Sequence, residues 1–257
     1  MLVAARATIT KRGESPRIKN PIFGARGHAM PGGPRSPTGW GDSIPIMWHQ
    51  VVVSATCTVW LLVMLTLRKV AIPPTASPQP DWTYATVWTL YVLLACSILS
   101  LLDGTLGDSE LLTPALISIT PVCSSLSIVV SALYFGLVYS EDTRLAHKFR
   151  DTCPRYLAYQ IAIHCFAPTG LALQLSKSQQ HIAEDGGRHS ALYLSLYVAL
   201  QFAAFHARRW SAGCWPYEFM ERFNVWHHIL FPVAVWSVSW TIATCCSALS
   251  AWLSRLT

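Results

Sequence analysis

An imidazole far inside an apolar stretch is the first group in this sequence that could do chemistry. His164 lies about nine residues into the stretch 155–175, and Gln160 precedes it by one helical turn. At this depth a neutral imidazole can take a proton from a hydroxyl group. The same side chain could equally serve only to hydrogen-bond a neighbouring helix. His164 is therefore a candidate general base, and a purely structural role is the open alternative.

A histidine base needs a nucleophile, and three threonines at the start of another apolar stretch are candidates. Thr83, Thr86 and Thr89 lie early in the stretch 83–102, which would enter the membrane from the same side as the stretch of His164. At 1.5 Å per residue, Thr86 would lie about 5 Å and His164 roughly 14 Å into the bilayer. Tilt and side-chain reach can close such a gap. The spacing therefore permits a threonine and histidine pair but does not demonstrate one.

The elements that must position these residues are predicted to be membrane-spanning helices. Of the 257 residues, 52% are hydrophobic and only 12% are charged, which is about half the charge of an average soluble chain. Lipid-exposed backbone must be hydrogen-bonded internally, so long apolar stretches become helices. Six stretches occur, at about 46–67, 83–102, 113–139, 155–175, 190–206 and 226–253. We predict an all-α, polytopic membrane helix bundle with about six transmembrane helices, of which the fifth is the weakest because it is short and contains Gln201.

The N-terminal residues have a different composition. Residues 1–44 are basic and rich in Gly and Pro, so we predict a disordered tail there and a transmembrane domain over residues 45–257. An Arg-rich, acid-poor start also resembles a transit peptide, which leaves mitochondrial targeting as an alternative to the endoplasmic reticulum, another endomembrane or the plasma membrane. Seven of the nineteen Lys and Arg residues fall within the first 35, and no basic face with interleaved aromatic residues follows. We therefore expect membrane lipids, not nucleic acid, as partners.

The predicted spans lack the groups that several membrane functions need. They contain no Asp or Glu apart from Asp103 at the end of the second span, which disfavours a proton-coupled transporter and a zinc-dependent hydrolase. His206, His227 and His228 lie near one membrane face, but neighbouring positions on a helix diverge by about 100° and no thiolate or carboxylate has suitable spacing. We expect neither a metal nor another cofactor.

Three stretches of the chain resemble the androgen-induced, FAR-17a-like family of six-span membrane proteins. The first is the aromatic-rich helix start WTYAT at residues 82–86. The second runs from Pro121 through LYFGLVY at residues 133–139 to His164. The third is GCWPYEFME at residues 213–221, followed by a closing apolar helix. Together they extend over most of residues 82–253.

The resemblance implies an intramembrane threonine hydrolase that cleaves fatty acid esters of hydroxy fatty acids. By that resemblance Thr86 falls on the nucleophile and His164 on the catalytic histidine. Thr86 would attack the ester carbonyl, and His164 would move the protons without any cofactor. The expected partner is a lipid ester within the bilayer. The alternative, from a different class, is a non-enzymatic membrane scaffold or regulatory protein of the same fold.

Four further residues are candidates for substrate binding. Gln160 could orient the imidazole or donate a hydrogen bond to the oxyanion, although a lipid-facing role is equally open. Lys148, Arg150 and Arg155 belong to a basic loop on the side from which both helices enter, so they could hold a substrate carboxylate. Anchoring at lipid headgroups is the favoured alternative for these three cations.

Overall fold

Helices make up the regular secondary structure of the described chain. The computed structural model describes residues 43–71, 83–106, 111–176 and 186–253. All of the regular structure in these residues is helical, which confirms the prediction of an all-α, polytopic helix bundle. The predicted tail lies outside the described residues except for its last two positions, where the first helix begins. Trp82 of the WTYAT motif also lies outside them.

The helices follow one another along the chain. In the described residues there are eight α-helices, a π-helical segment at Tyr134–Val138 and a 3-10 turn at Glu218–Arg222. The α-helices are α1 (Ser43–Ala71), α2 (Ala85–Leu106), α3 (Leu112–Leu133), α4 (Tyr139–Lys148), α5 (Tyr156–His164), α6 (Ala167–Ser176), α7 (Gly186–Ala212) and α8 (Val225–Leu253).

Five helical segments of the described chain are long and apolar enough to cross a membrane. They are Trp48–Lys69, Ala85–Leu106, Leu112–Lys148, Arg188–Ala212 and Val225–Leu253. They correspond to five of the six predicted stretches. The remaining stretch, 155–175, is not one helix, because it is divided between α5 and α6.

The division of this stretch has a local cause in the sequence. In an unbroken helix the ring of Pro168 would clash with the carbonyl group four residues earlier, which is that of His164. Helix α5 accordingly ends at His164, where the N–H of Cys165 turns back to the Ala162 carbonyl at 3.2 Å. The apolar composition of the stretch predicted a single span, whereas Pro168 disfavours a helix that continues through His164.

Helix α3 lies at the centre of the bundle and holds the broken span in place. It packs against α2, α6, α7 and α8. Ser124 donates a hydrogen bond to the Gly170 carbonyl at 2.6 Å, and Ser131 donates one to the His164 carbonyl at 2.7 Å. A Cβ at Gly170 would overlap the hydroxyl of Ser127, so α6 can approach α3 this closely only with glycine there.

The outer surface of the bundle is apolar. Large hydrophobic side chains are exposed along α1, α7 and α8, among them Trp48, Val59, Leu62, Leu192, Leu196, Leu230 and Val233. An exposed apolar surface of this extent is typical of a protein whose outside contacts lipid. The chain is an integral, multi-pass membrane protein whose helices contact membrane lipid.

Candidate active site

Thr86 and His164 are in direct contact inside the bundle. The Oγ1 atom of Thr86 lies 2.9 Å from Nε2 of His164, and both side chains are buried. Thr86 is the second residue of α2, and His164 is the last residue of α5. The two candidates that the sequence placed at different depths therefore form a hydrogen-bonded pair.

The second ring nitrogen of His164 fixes the direction of this hydrogen bond. Nδ1 lies 2.7 Å from the carbonyl oxygen of Gln160, one turn earlier in α5. Because a carbonyl oxygen can only accept, Nδ1 must carry the proton. Nε2 of a neutral ring then presents its lone pair and accepts from the hydroxyl of Thr86. This is the tautomer that a general base requires.

An aromatic ring holds the imidazole from its face. The ring of Tyr134 stacks on that of His164 with 3.5 Å between the centroids and 7° between the planes. Tyr134 begins the π-helical segment, in which the N–H of Tyr139 bonds to the Tyr134 carbonyl five residues back. π-Helical turns of this kind are frequent at functional sites. The helix also continues to Lys148, beyond the predicted end of the third span at residue 139.

The start of α2 is anchored inside the protein. The backbone N–H of Ala85 donates to the hydroxyl of Tyr217 at 3.0 Å, and Tyr197 donates to the Ala85 carbonyl at 3.3 Å. The ring of Tyr217 also contacts that of Tyr84 edge to face. Thr83 is fully buried. The GCWPYEFME segment therefore covers the helix end that carries Thr86.

A mainly apolar cavity opens beside the pair. It has about 650 Å³ of empty space, its mouth included. Side chains from α2, α3, α5, α7, α8 and the segment before α8 line it, among them Thr86, Leu126, Val130, Leu133, Tyr134, His164, Val198, Gln201, Phe202, Phe205, Phe219, Phe231 and Val235. Such a cavity suits a hydrocarbon chain.

A second, polar cavity reaches the pair from another side. Thr86, Val138, His164 and Tyr217 line both cavities. The remaining lining of the second cavity consists of Arg68, Tyr84, Glu141, Asp142, Leu145, Tyr156, Gln160 and Pro216. The pair thus lies between an apolar space and a polar one.

The polar cavity contains a carboxylate that the sequence did not lead us to expect inside a span. Asp142 is buried and accepts a hydrogen bond from the hydroxyl of Tyr156 at 2.9 Å. The side-chain amide of Gln160 donates to that hydroxyl at 3.0 Å. Gln160 thus contacts His164 through its backbone carbonyl while its side chain is bonded to Tyr156. The extension of the third span to Lys148 brings Asp142 into the helical core.

The three predicted loop cations do not line either cavity. Lys148, Arg150 and Arg155 are exposed. The cation that does line the polar cavity is Arg68, whose guanidinium lies 4.9 Å from the centroid of the Tyr84 ring. Arg68 was visible in the sequence only as a flanking charge at the end of the first span. Its place in the cavity depends on the packing of α1 against α5.

The histidines near α8 contact aromatic rings. His206 and His228 have ring centroids 5.8 Å apart, and both contact Trp215. Within the described residues, no group of three or more His, Cys, Asp or Glu side chains is arranged to hold a metal ion.

Comparison with family models, curated proteins and solved structures gives no match to this chain.

Proposed function

We propose that this protein is an intramembrane threonine hydrolase that cleaves lipid esters, with Thr86 as nucleophile and His164 as general base. The observation that carries the proposal is the 2.9 Å contact between Thr86 Oγ1 and Nε2 of His164, whose Nδ1 is bonded to the Gln160 carbonyl. A nucleophile, a base and a group that orients the base are the recurring parts of such sites. Here the Gln160 carbonyl has the orienting role. The resemblance to the androgen-induced, FAR-17a-like family supports the same two residues.

The first half-reaction forms an acyl-threonine. Thr86 Oγ1 attacks the ester carbonyl carbon while Nε2 of His164 takes the hydroxyl proton. The tetrahedral intermediate then collapses, the bond to the alkoxy oxygen breaks, and the imidazolium gives its proton to the departing alcohol. The alcohol leaves and the acyl group remains on Thr86.

The second half-reaction uses water. His164 takes a proton from a water molecule as its oxygen attacks the acyl carbon. The bond to Thr86 Oγ1 then breaks, the proton returns to that oxygen, and a fatty acid is released. The polar cavity gives water a route to the pair, and the apolar cavity holds the acyl chain.

The apolar cavity is what favours a lipid ester as the substrate. Its walls are mostly aliphatic and aromatic, so it favours a hydrocarbon chain over a polar group of similar size. Fatty acid esters of hydroxy fatty acids, the substrates that the family resemblance implies, carry such chains on both sides of the ester.

A covalent probe tests the proposal. Wild-type protein in detergent is treated with a fluorophosphonate that carries an alkyl chain, and the labelled residue is identified by peptide mass spectrometry. We expect the label on Thr86 in the wild type and in Thr86→Ser, and none in Thr86→Ala. His164→Ala should slow labelling by at least about a hundredfold, because the hydroxyl then lacks its base.

Thr89→Ala is the matched control, since Thr89 lies on the same helix one turn away and bonds to Tyr197 at 2.8 Å. It should keep the label. Gel filtration shows whether each variant remains folded. A folded wild type that takes no label, or a label that survives both Thr86→Ala and His164→Ala, would contradict the proposal and favour a non-enzymatic membrane scaffold of the same fold.

A further inference from the structure

Gln201 is a buried amide that is not hydrogen-bonded to any described residue. Its side chain is 3% exposed, and within the described part of the chain neither Nε2 nor Oε1 has a partner. It lies on α7 in the wall of the apolar cavity. An unpaired carboxamide in an apolar environment destabilises the folded protein, and a ligand that hydrogen-bonds to it removes that cost. In the sequence, Gln201 was noted only as a polar residue that weakens the prediction of the fifth span.

Four other polar side chains of the same wall are hydrogen-bonded, whereas the buried hydroxyl of Tyr134 has, like Gln201, no partner within the described residues. Thr86 and His164 bond to each other, and Tyr197 and Tyr217 bond to the backbone of Ala85. Gln201 differs from these four because it lines the cavity while neither its amide donor nor its acceptor has a partner within the described residues.

The neighbours of Gln201 on α7 contact the start of α2 and the tyrosine that covers it. Tyr197 and Phe205 lie one turn before it and one turn after it, on the same face of the helix. Tyr197 bonds to Ala85, and Phe205 packs against Tyr217 with ring centroids 5.6 Å apart. Gln201 is thus held between two residues that fix the helix end of Thr86.

We propose that Gln201 is a specificity-determining residue that binds a hydroxyl group carried by the acyl chain of the substrate. This inference rests on the proposed function of the Thr86 and His164 pair. A hydroxyl group both accepts from an amide N–H and donates to an amide carbonyl, so one hydroxyl satisfies both unused atoms of Gln201. A charged group would be much more costly to bring into walls of this composition. The preferred substrates are therefore esters of hydroxylated fatty acids over esters of plain ones.

A binding measurement tests the inference separately from catalysis. Thr86→Ala protein is labelled by a stearate that carries a photoreactive diazirine. Methyl stearate and a set of methyl hydroxystearates, which differ only in the position of the hydroxyl, then compete for the site. We expect at least one hydroxystearate to compete about tenfold better than methyl stearate, as one added hydrogen bond would allow. In the double variant with Gln201→Leu, that advantage should fall to about one.

The matched control is Gln174→Leu in the same Thr86→Ala background. Gln174 is also a buried glutamine of the bundle, but it does not line the apolar cavity and its amide donates to Ser250 at 3.4 Å. This control should keep the preference for the hydroxystearate. Gel filtration of each double variant verifies that it is folded.

The hydrolysis of the same esters by Thr86-containing protein provides the second readout. The ratio of kcat/KM for the best hydroxystearate to that for methyl stearate should be about ten in the wild type and about one in Gln201→Leu. Equal binding of all the esters, or a preference that survives Gln201→Leu, overturns the inference even if the protein hydrolyses them. Absence of both hydrolysis and probe labelling in folded wild type overturns the proposed function instead.

Discussion

The rings of Tyr134 and His164 are nearly parallel and only 3.5 Å apart. Together with the Gln160 carbonyl at Nδ1 and Thr86 at Nε2, this stack restrains the imidazole from its face as well as from both nitrogens. In the proposed mechanism a base held in this way loses little freedom when a substrate binds, which is one source of catalytic rate.

The stack predicts a graded response at position 134. Tyr134→Phe keeps the ring, so we expect its rate of fluorophosphonate labelling to stay within about threefold of the wild type. Tyr134→Ala removes the ring and frees the imidazole, which should lower the rate by roughly ten- to a hundredfold. Labelling rates at several probe concentrations check this. Equal rates for the Ala and Phe variants would show that the stack does not position the base.

The hydrogen bond from Ser131 to the His164 carbonyl predicts a smaller effect. Ser131→Ala leaves the last carbonyl of α5 without this donor, so the helix end should become less well fixed. We expect the labelling rate to fall about three- to tenfold. Ser125→Ala is the control, because the Ser125 hydroxyl is buried and, among the described residues, bonds to the Val122 carbonyl of its own helix. A similar fall in the labelling rate of Ser125→Ala would indicate that removing any buried serine from α3 slows labelling.

Two glycines predict opposite outcomes for the same substitution. Gly170→Ala would force apart α3 and α6, because its Cβ would overlap the Ser127 hydroxyl and lie 3.0 Å from the Ser124 Cα. Overpacking of this kind costs roughly 1–3 kcal/mol. Gly136→Ala meets nothing within 4 Å and should be close to neutral. Thermal unfolding in detergent compares the two variants. Equal melting temperatures would mean that the close approach of α6 is not required.

The unpartnered amide of Gln201 also predicts an effect on stability. Gln201→Leu removes a buried polar group without breaking a hydrogen bond within the described part of the protein, so the ligand-free variant should melt at or above the temperature of the wild type. Gln174→Leu, which breaks the bond to Ser250, should not be stabilised in this way. Delipidated samples are compared by thermal unfolding. A clear fall in melting temperature for Gln201→Leu alone would contradict the unpaired state of this amide.

The composition and spacing of apolar stretches were sufficient to predict the helical fold, because the bilayer restricts the choice of secondary structure so strongly. They did not show that the stretch 155–175 is two helices. The periodicity and composition of the apolar residues are the same on either side of the break, so they do not mark it. A proline at position 168 disfavours a continuous helix, because its ring would clash with the carbonyl of His164.

Sequence counting also identified Thr86 and His164 as candidates but put them about 9 Å apart in depth. That estimate took both helices to start at the membrane surface. Thr83 is instead fully buried, and Tyr217 covers the start of α2. The segment that contributes Tyr217 is far away in the chain, so only tertiary packing could reveal that α2 begins inside the protein.

Three of the four substrate-binding candidates were predicted from charge, and charge alone could not locate a cavity. Lys148, Arg150 and Arg155 have the expected sign but are exposed on the surface. Gln201 was noticed because a polar residue weakens an apolar span, and the same observation was a signal for a buried site. The stacked Tyr134 was indistinguishable from the other aromatic residues of its motif.

The two cavities share only a few lining residues, among them Thr86 and His164. The two proposed half-reactions can therefore receive lipid and water from different cavities. In the proposed mechanism the lipid enters from the apolar cavity and the water from the polar one. A bulky substitution that fills the polar cavity, such as one at Leu145, should therefore trap the acylated protein instead of preventing its formation. Substitutions in one cavity or the other would then change the access of water and the access of lipid to the site separately.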